Sequence, residues 1–96
     1  MTNEEYQKKF NSILEEMKAI SFPKHSDYGN DSVFRYGMKM RFADIWRKFA
    51  RLDSLIWQEN CPEDKKETIR DTLLDLANYS AIALIVYDEE NDSRSK

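Results

Sequence analysis

Residues 67–79 read ETIRDTLLDLANY, Glu67 to Tyr79, and carry the periodicity of the longest helix in the chain. Ile69, Leu73, Leu76 and Ala77 recur at helical spacing, and Ser80, Ala83 and Leu84 continue the same face. The carboxylates Glu67, Asp71 and Asp75 stand four apart, which sets them in one stripe beside the apolar one. The helix is predicted to reach about Tyr87. From Ala81 to Tyr87 it is apolar nearly all round, so this end belongs at the centre of a bundle or at a subunit interface. Glu59 to Glu63 reads as a short linker, and Pro62 suits a first helical turn, where its missing N–H is not needed. Glu63, Asp64 and Glu67 complement the helix dipole at that end.

Upstream, Phe42, Ile45, Trp46, Phe49, Leu52, Leu55 and Ile56 predict a second long helix from about Met38 to Trp57. Its polar side carries Arg41, Asp44, Arg47, Lys48 and Arg51, and Asp44 can pair with Arg47 and Lys48 one turn on. A first helix opens on Thr2-Asn3-Glu4-Glu5, which fits a capping box. Tyr6, Phe10, Ile13, Leu14, Met17 and Ile20 follow at helical spacing, and the helix is predicted to end before Pro23. Residues 21–32, SFPKHSDYGNDS, read as a loop that offers Lys24, His25, Asp27 and Tyr28 within five residues. The plain alternative is a connecting turn with Tyr28 plugging the core. Ser32 to Tyr36 reads as one helical turn closed by Gly37.

Two glycines and two prolines are too few for the turns of a many-stranded sandwich or barrel, so the fold is expected to be all-α. The expected architecture is a compact bundle of three long helices plus a short one, completed by oligomerisation, because 96 residues enclose only a modest core. Residues 1–88 form a single domain in this reading, and 89–96 form a polar, disordered tail. A net charge of −3 argues against a sequence-independent nucleic-acid binder and leaves a local basic groove open. Cys61 has no internal partner for a disulfide, and MTNEEYQKKF lacks the apolar segment of a secretory signal. The longest apolar run, Ala81 to Tyr87, is far short of the roughly 20 residues a membrane span needs. These features together place the protein in the cytoplasm.

Several chemistries have no residues to carry them. One His and one Cys in unrelated places make no nucleophile triad, and two glycines make no phosphate-cradling loop. No His/Cys cluster with metal-ligand spacing is present. What remains is complementary. Lys48 and Arg51, with Arg41 or Arg47, supply cations suited to phosphate. Glu67, Asp71 and Asp75 offer carboxylates to Mg²⁺, which takes one or two of them plus water and substrate phosphates. Tyr28, Tyr79 or Trp57 offers a ring for a base. An inter-helix salt-bridge network accounts for the same charges without a ligand. Asp75 lies within the apolar part of its helix, however, and a carboxylate there needs a partner.

Three motifs together resemble the nucleotide modification associated domain family, common in bacteriophage. They are K-x-x-D-Y-G at Lys24, Asp27, Tyr28 and Gly29; K-x-x-R-L at Lys48, Arg51 and Leu52; and E-x-x-x-D-T-x-x-D-L-A-N-Y from Glu67 to Tyr79. The resemblance covers about residues 24–85 and extends, more remotely, to the all-α MazG-like nucleoside triphosphate pyrophosphohydrolases. Two departures matter. The family's middle helix reads R-x-x-D-K-x-x-R-L, whereas Asp44 and Arg47 stand here with the charges exchanged. A structural ion pair survives that exchange, and a metal-binding carboxylate does not survive it in place. MazG-like enzymes also use E-x-x-E on one helix and E-x-x-D on the next. Here the middle helix has no E-x-x-E, and Thr68 stands three before Asp71.

The resemblance implies phage nucleotide metabolism or nucleotide handling, and the retained cations and rings beside a depleted carboxylate set lead to the expectation of a protein that binds a nucleotide or a nucleotide-derived signal and sequesters it without chemistry, in the host cytoplasm if phage-encoded. Lys24, Lys48 and Arg51 are expected to hold phosphates, and Tyr28 and Tyr79 the base. Asp71, Asp75 and Asn78 would position sugar hydroxyls, amides or a metal, with Asp27 also in the ligand set. No cofactor is required by this reading. The enzymatic alternative is a Mg²⁺-dependent nucleotide pyrophosphohydrolase with metal on Glu67, Asp71 and Asp75 and with Glu67 or Asp27 as base. A third alternative is a helical protein-interaction module that presents Ile82, Ile85 and Val86.

Overall fold

A computed structural model describes residues 1–59 and 65–92, with the side chains of residues 65–67 left aside. It contains three helices, α1 (Asn3–Phe34), α2 (Gly37–Leu52) and α3 (Lys65–Asn91), and α2 runs into a π-helical turn, Asp53–Trp57. The all-α bundle is therefore as the periodicity predicts, and there is no strand among the described residues. The expected linker residues 60–64, Pro62 among them, and the end of the tail, 93–96, lie outside the described residues. Residues 89–91, assigned to that tail, continue α3 beyond Tyr87.

The N-terminus of α1 follows its sequence signal. Thr2 is the N-cap, and its Oγ1 accepts from the Glu5 backbone N–H at 3.1 Å. The Thr2 hydroxyl donates in turn to the Glu5 carboxylate at 3.2 Å, closing the box side chain to side chain.

The middle of the chain departs from expectation. The first helix does not end before Pro23, and 21–32 is not a loop: α1 continues through Pro23 to Phe34. A proline removes one backbone donor and clashes with the carbonyl four residues back. The residues on both sides of it, Ile20 and Ser21 before and Val33 after, nevertheless line a common cleft with α3. That tertiary packing overrides the local preference. The expected short helix is absorbed into α1, and the one break falls at Gly29, with φ 75° and ψ −178°. A Cβ at Gly29 would meet nothing within 4 Å, so glycine serves the backbone angle there and not the space. His25 Nε2 lies 2.7 Å from the Asn30 amide oxygen across the break, a pair that needs the proton on Nε2. Gly37 begins α2 instead of closing a turn, after Tyr36 in the left-handed region.

The helices α2 and α3 run antiparallel. Lys48 Nζ meets Asp75 Oδ2 at 3.0 Å at one end of the pair. At the other, Gly37 lies so close to Glu90 that an added Cβ would stand 2.8 Å from its carboxylate. Across the bundle, Arg70 of α3 donates to both carboxylate oxygens of Glu16 in α1, at 2.9 and 2.5 Å. That pair of hydrogen bonds holds the Glu16 carboxyl below its ordinary range. Leu55, Leu74, Ala83 and Val86 form the buried apolar core. Most of the apolar face predicted for the second helix is not in it: Phe42, Trp46, Phe49 and Ile56 are exposed. Tyr28 does not plug the core either and is 72% exposed. No helix among the described residues is long and apolar enough to cross a membrane.

Candidate functional site

The C-terminal part of α1, from Ile20 onward, lies over the middle of α3, with the first half of α2 at one side. The three elements enclose a cleft of about 1030 Å³, ample for a nucleotide-sized ligand. The break at Gly29 redirects the chain so that residues on both sides of it, Lys24 and Tyr28 before and Ser32 and Val33 after, face the same space. From α3 come Asp75, Asn78, Tyr79, Ile82, Ile85 and Glu89, and from α2 come Arg41 and Asp44. A smaller cavity of about 440 Å³ shares Tyr28, Ser32 and Arg41 with it.

Charge in the cleft is organised by two carboxylates. Asp44 accepts a hydrogen bond from Arg47 through one oxygen and forms an ion pair with Arg41 through the other, each at 3.3 Å. The exchanged Asp44/Arg47 pair therefore still closes across one helical turn. Asp75 is held by Lys48, which answers its need for a partner. Two buried donors are left over: Arg41 Nε and Asn78 Nδ2 have no hydrogen-bond partner. Asn78 is only 8% exposed. The other buried polar side chain of α3, Thr72, meets the same need locally, by donating Oγ1 to the Thr68 carbonyl at 2.7 Å. A buried donor without a partner costs about 1–3 kcal/mol, so such groups in a cleft point to a ligand that completes them.

Of the residues singled out by sequence, the cleft gathers Lys24, Tyr28, Asp75, Asn78 and Tyr79. Lys48 acts one step removed, through Asp75. Asp27, Arg51 and Asp71 are exposed and lie outside its lining, as does Trp57. Arg41, which the sequence offered only as one of several cations, is the one at the cleft wall. Its signal was the i,i+3 spacing to Asp44. Val86 is fully buried, and Ile82 and Ile85 line the cleft, so the three do not form a presented patch.

Among the described residues no group of three or more His, Cys, Asp or Glu side chains gathers closely enough to hold an ion. Asp75 is occupied by Lys48, and Asp44 by two arginines. The Glu67 side chain lies outside the described residues. The described carboxylates thus do not by themselves fit a Mg²⁺ site.

Searches of curated proteins and of solved structures give no significant match. The family model for nucleotide modification associated domain 1 matches residues 24–86, from a lysine of the cleft lining to the buried Val86. It takes in most of the cleft lining and leaves out Ile20, Ser21, Phe22 and Glu89. Since the match spans well over half of the chain, the protein belongs to the nucleotide modification associated domain 1 family.

Proposed function

We propose that the cleft binds a nucleotide or a nucleotide-derived small molecule and holds it without chemistry, as a cytoplasmic, phage-type sequestering protein would. The observation that carries this reading is the pair of buried, unpartnered donors, Arg41 Nε and Asn78 Nδ2, in the lining of one cleft. Lys24 and Arg41 supply charge for phosphate, and Tyr28 and Tyr79 supply rings for a base. Asn78 supplies an amide donor to a sugar or base oxygen. Lys48 holds Asp75 in place, so that Asp75 can accept from a hydroxyl or an exocyclic amine.

Calorimetry against mono-, di- and triphosphates, cyclic nucleotides and dinucleotides tests this. Wild type is expected to bind at least one class. Arg41→Met and Asn78→Leu should each weaken it about 10-fold or more, as expected for loss of a hydrogen bond worth about 1.5–3 kcal/mol to a charged group. Arg51→Ala should leave affinity nearly unchanged, because Arg51 lies outside the lining. No binding across the panel, or equal binding by both cleft variants, defeats the proposal. Chromatography of the incubated nucleotide decides the alternative: Mg²⁺-dependent product that Asp71→Asn abolishes identifies a MazG-like pyrophosphohydrolase instead.

A further inference from the structure

We infer that the exposed side of the α2–α3 pair is a self-association face, and that its occupant is a second copy of this chain. The face follows from helical geometry. On α3, Asp75 and Glu90 point to α2, while Asn78, Ile85 and Glu89 point to the cleft under α1. At 3.6 residues per turn, Leu73, Ser80, Leu84 and Tyr87 fall about 120° further round, on the third side. On α2, Gly37 and Lys48 face α3, and Asp44 turns to the cleft. Phe42, Trp46 and Phe49 fall about 140° away, on the side opposite Asp44. Because the helices are antiparallel, these two rotations carry both stripes to the same side of the pair, away from α1.

The result is a two-helix apolar layer. Phe42, Trp46, Phe49, Leu73, Leu84 and Tyr87 are 63, 59, 53, 49, 60 and 51% exposed, and Trp46 stacks on Phe49 with ring centroids 5.9 Å apart. With about 150–250 Å² per aromatic side chain, roughly 600 Å² of apolar surface is bare on this side, the upper limit for a patch on a monomer. No charged side chain interrupts the α3 stripe from Leu73 through Ala77, Ser80 and Leu84 to Tyr87. Aromatic enrichment with charge depletion is the composition of an interface centre.

The total surface says what covers it. The chain exposes 7741 Å², whereas a folded monomer of 11.5 kDa exposes about 5,800 Å². That excess, about 1,900 Å², is shared by all the exposed apolar side chains of the chain, and the layer's own roughly 600 Å² per copy gives about 1,200 Å² over two copies, the lower end of a specific interface. The buried apolar residues of one copy, Leu55, Leu74, Ala83 and Val86, are a small core for this length. The cover must therefore be present whenever the chain folds, and a second copy always is. A two-fold axis through the layer pairs the same face with itself and completes a four-helix bundle. Asn78, Ile85 and Glu89 of the cleft lining lie on another side of α3 from this layer, so each copy keeps a whole site.

Analytical ultracentrifugation and a single-tryptophan reporter test this together. Wild type is expected to sediment at twice 11.5 kDa. Trp57→Phe leaves Trp46 as the reporter, and its emission is expected to be that of a buried indole, red-shifting on dilution into monomer. Trp46→Lys is expected to halve the mass, and Phe10→Lys, on the separate exposed stripe of α1, to leave it at two chains. If Trp46→Lys fails to fold, the reporter still decides. A wild-type monomer with full helical circular dichroism overturns the inference. So does a dimer in which Trp46 emits as a solvent-exposed indole, or one that Phe10→Lys dissociates and Trp46→Lys does not.

Discussion

Replacing Asn78 by leucine separates a ligand-binding role from a structural one, because the two predict opposite signs for stability. Asn78 is buried and its Nδ2 has no partner. Leucine has nearly the same size and removes the orphan donor. Relief of that donor recovers about 1 kcal/mol or more of desolvation. Leucine also exceeds asparagine in helix propensity by roughly 0.4 kcal/mol. The variant should thus be more stable than wild type by about 1–2 kcal/mol, which for this size raises Tm by about 4–8 °C per kcal/mol. Thermal unfolding followed by circular dichroism at equal protein concentration measures this, since association makes Tm depend on concentration. The same variant should bind its nucleotide about 10-fold or more weakly. A Tm below wild type refutes the reasoning, for then Asn78 belongs to the fold and not to a site held ready for a ligand.

Further predictions follow from local geometry. Gly37→Ala should cost about 1–2 kcal/mol, because φ is 61° there and the new Cβ would stand 2.8 Å from Glu90 Oε1. Adding Glu90→Ala should recover only the steric part in urea titrations. Pro23→Ala should stabilise by up to about 3 kcal/mol, since alanine restores a donor toward the Ala19 carbonyl inside α1, and a lower urea midpoint contradicts the continuous helix. The clasp between Glu16 and Arg70 predicts an acid dependence. Glu16 has its pKa depressed below 4.5 by the Arg70 hydrogen bonds, so its contribution is present above that value and is lost as pH falls through the folded pKa. Glu16→Gln should flatten the urea midpoint over that acid range, and an unchanged pH profile would falsify the clasp.

Much of the bundle was legible because helical periodicity is a local property. The Thr2 cap, the span of α2 and the stripe of α3 each need only neighbours within one turn. The error over 21–32 has the same origin. Pro23 and Gly29 are breakers by local rules, and only the wall shared with α3 keeps the helix running through the first and bends it at the second. The site was legible in part. Lys24, Tyr28, Asp75, Asn78 and Tyr79 converge, whereas Arg51 and Asp71 point elsewhere, since motif spacing does not say which side of a helix meets the neighbouring one.

The sequence alone determined three long helices, the start of α1 and the rough limits of α2, an ion pair indifferent to the exchange of Asp44 and Arg47, and the need of Asp75 for a partner. These follow from spacing and from the cost of burying charge. The tertiary structure decided that the cation is Lys48, that Arg41 and Asn78 share a cleft with buried donors unfilled, and that Phe42, Trp46 and Phe49 lie bare. Those outcomes depend on the rotation of each helix against its neighbours, which is fixed only when all three pack.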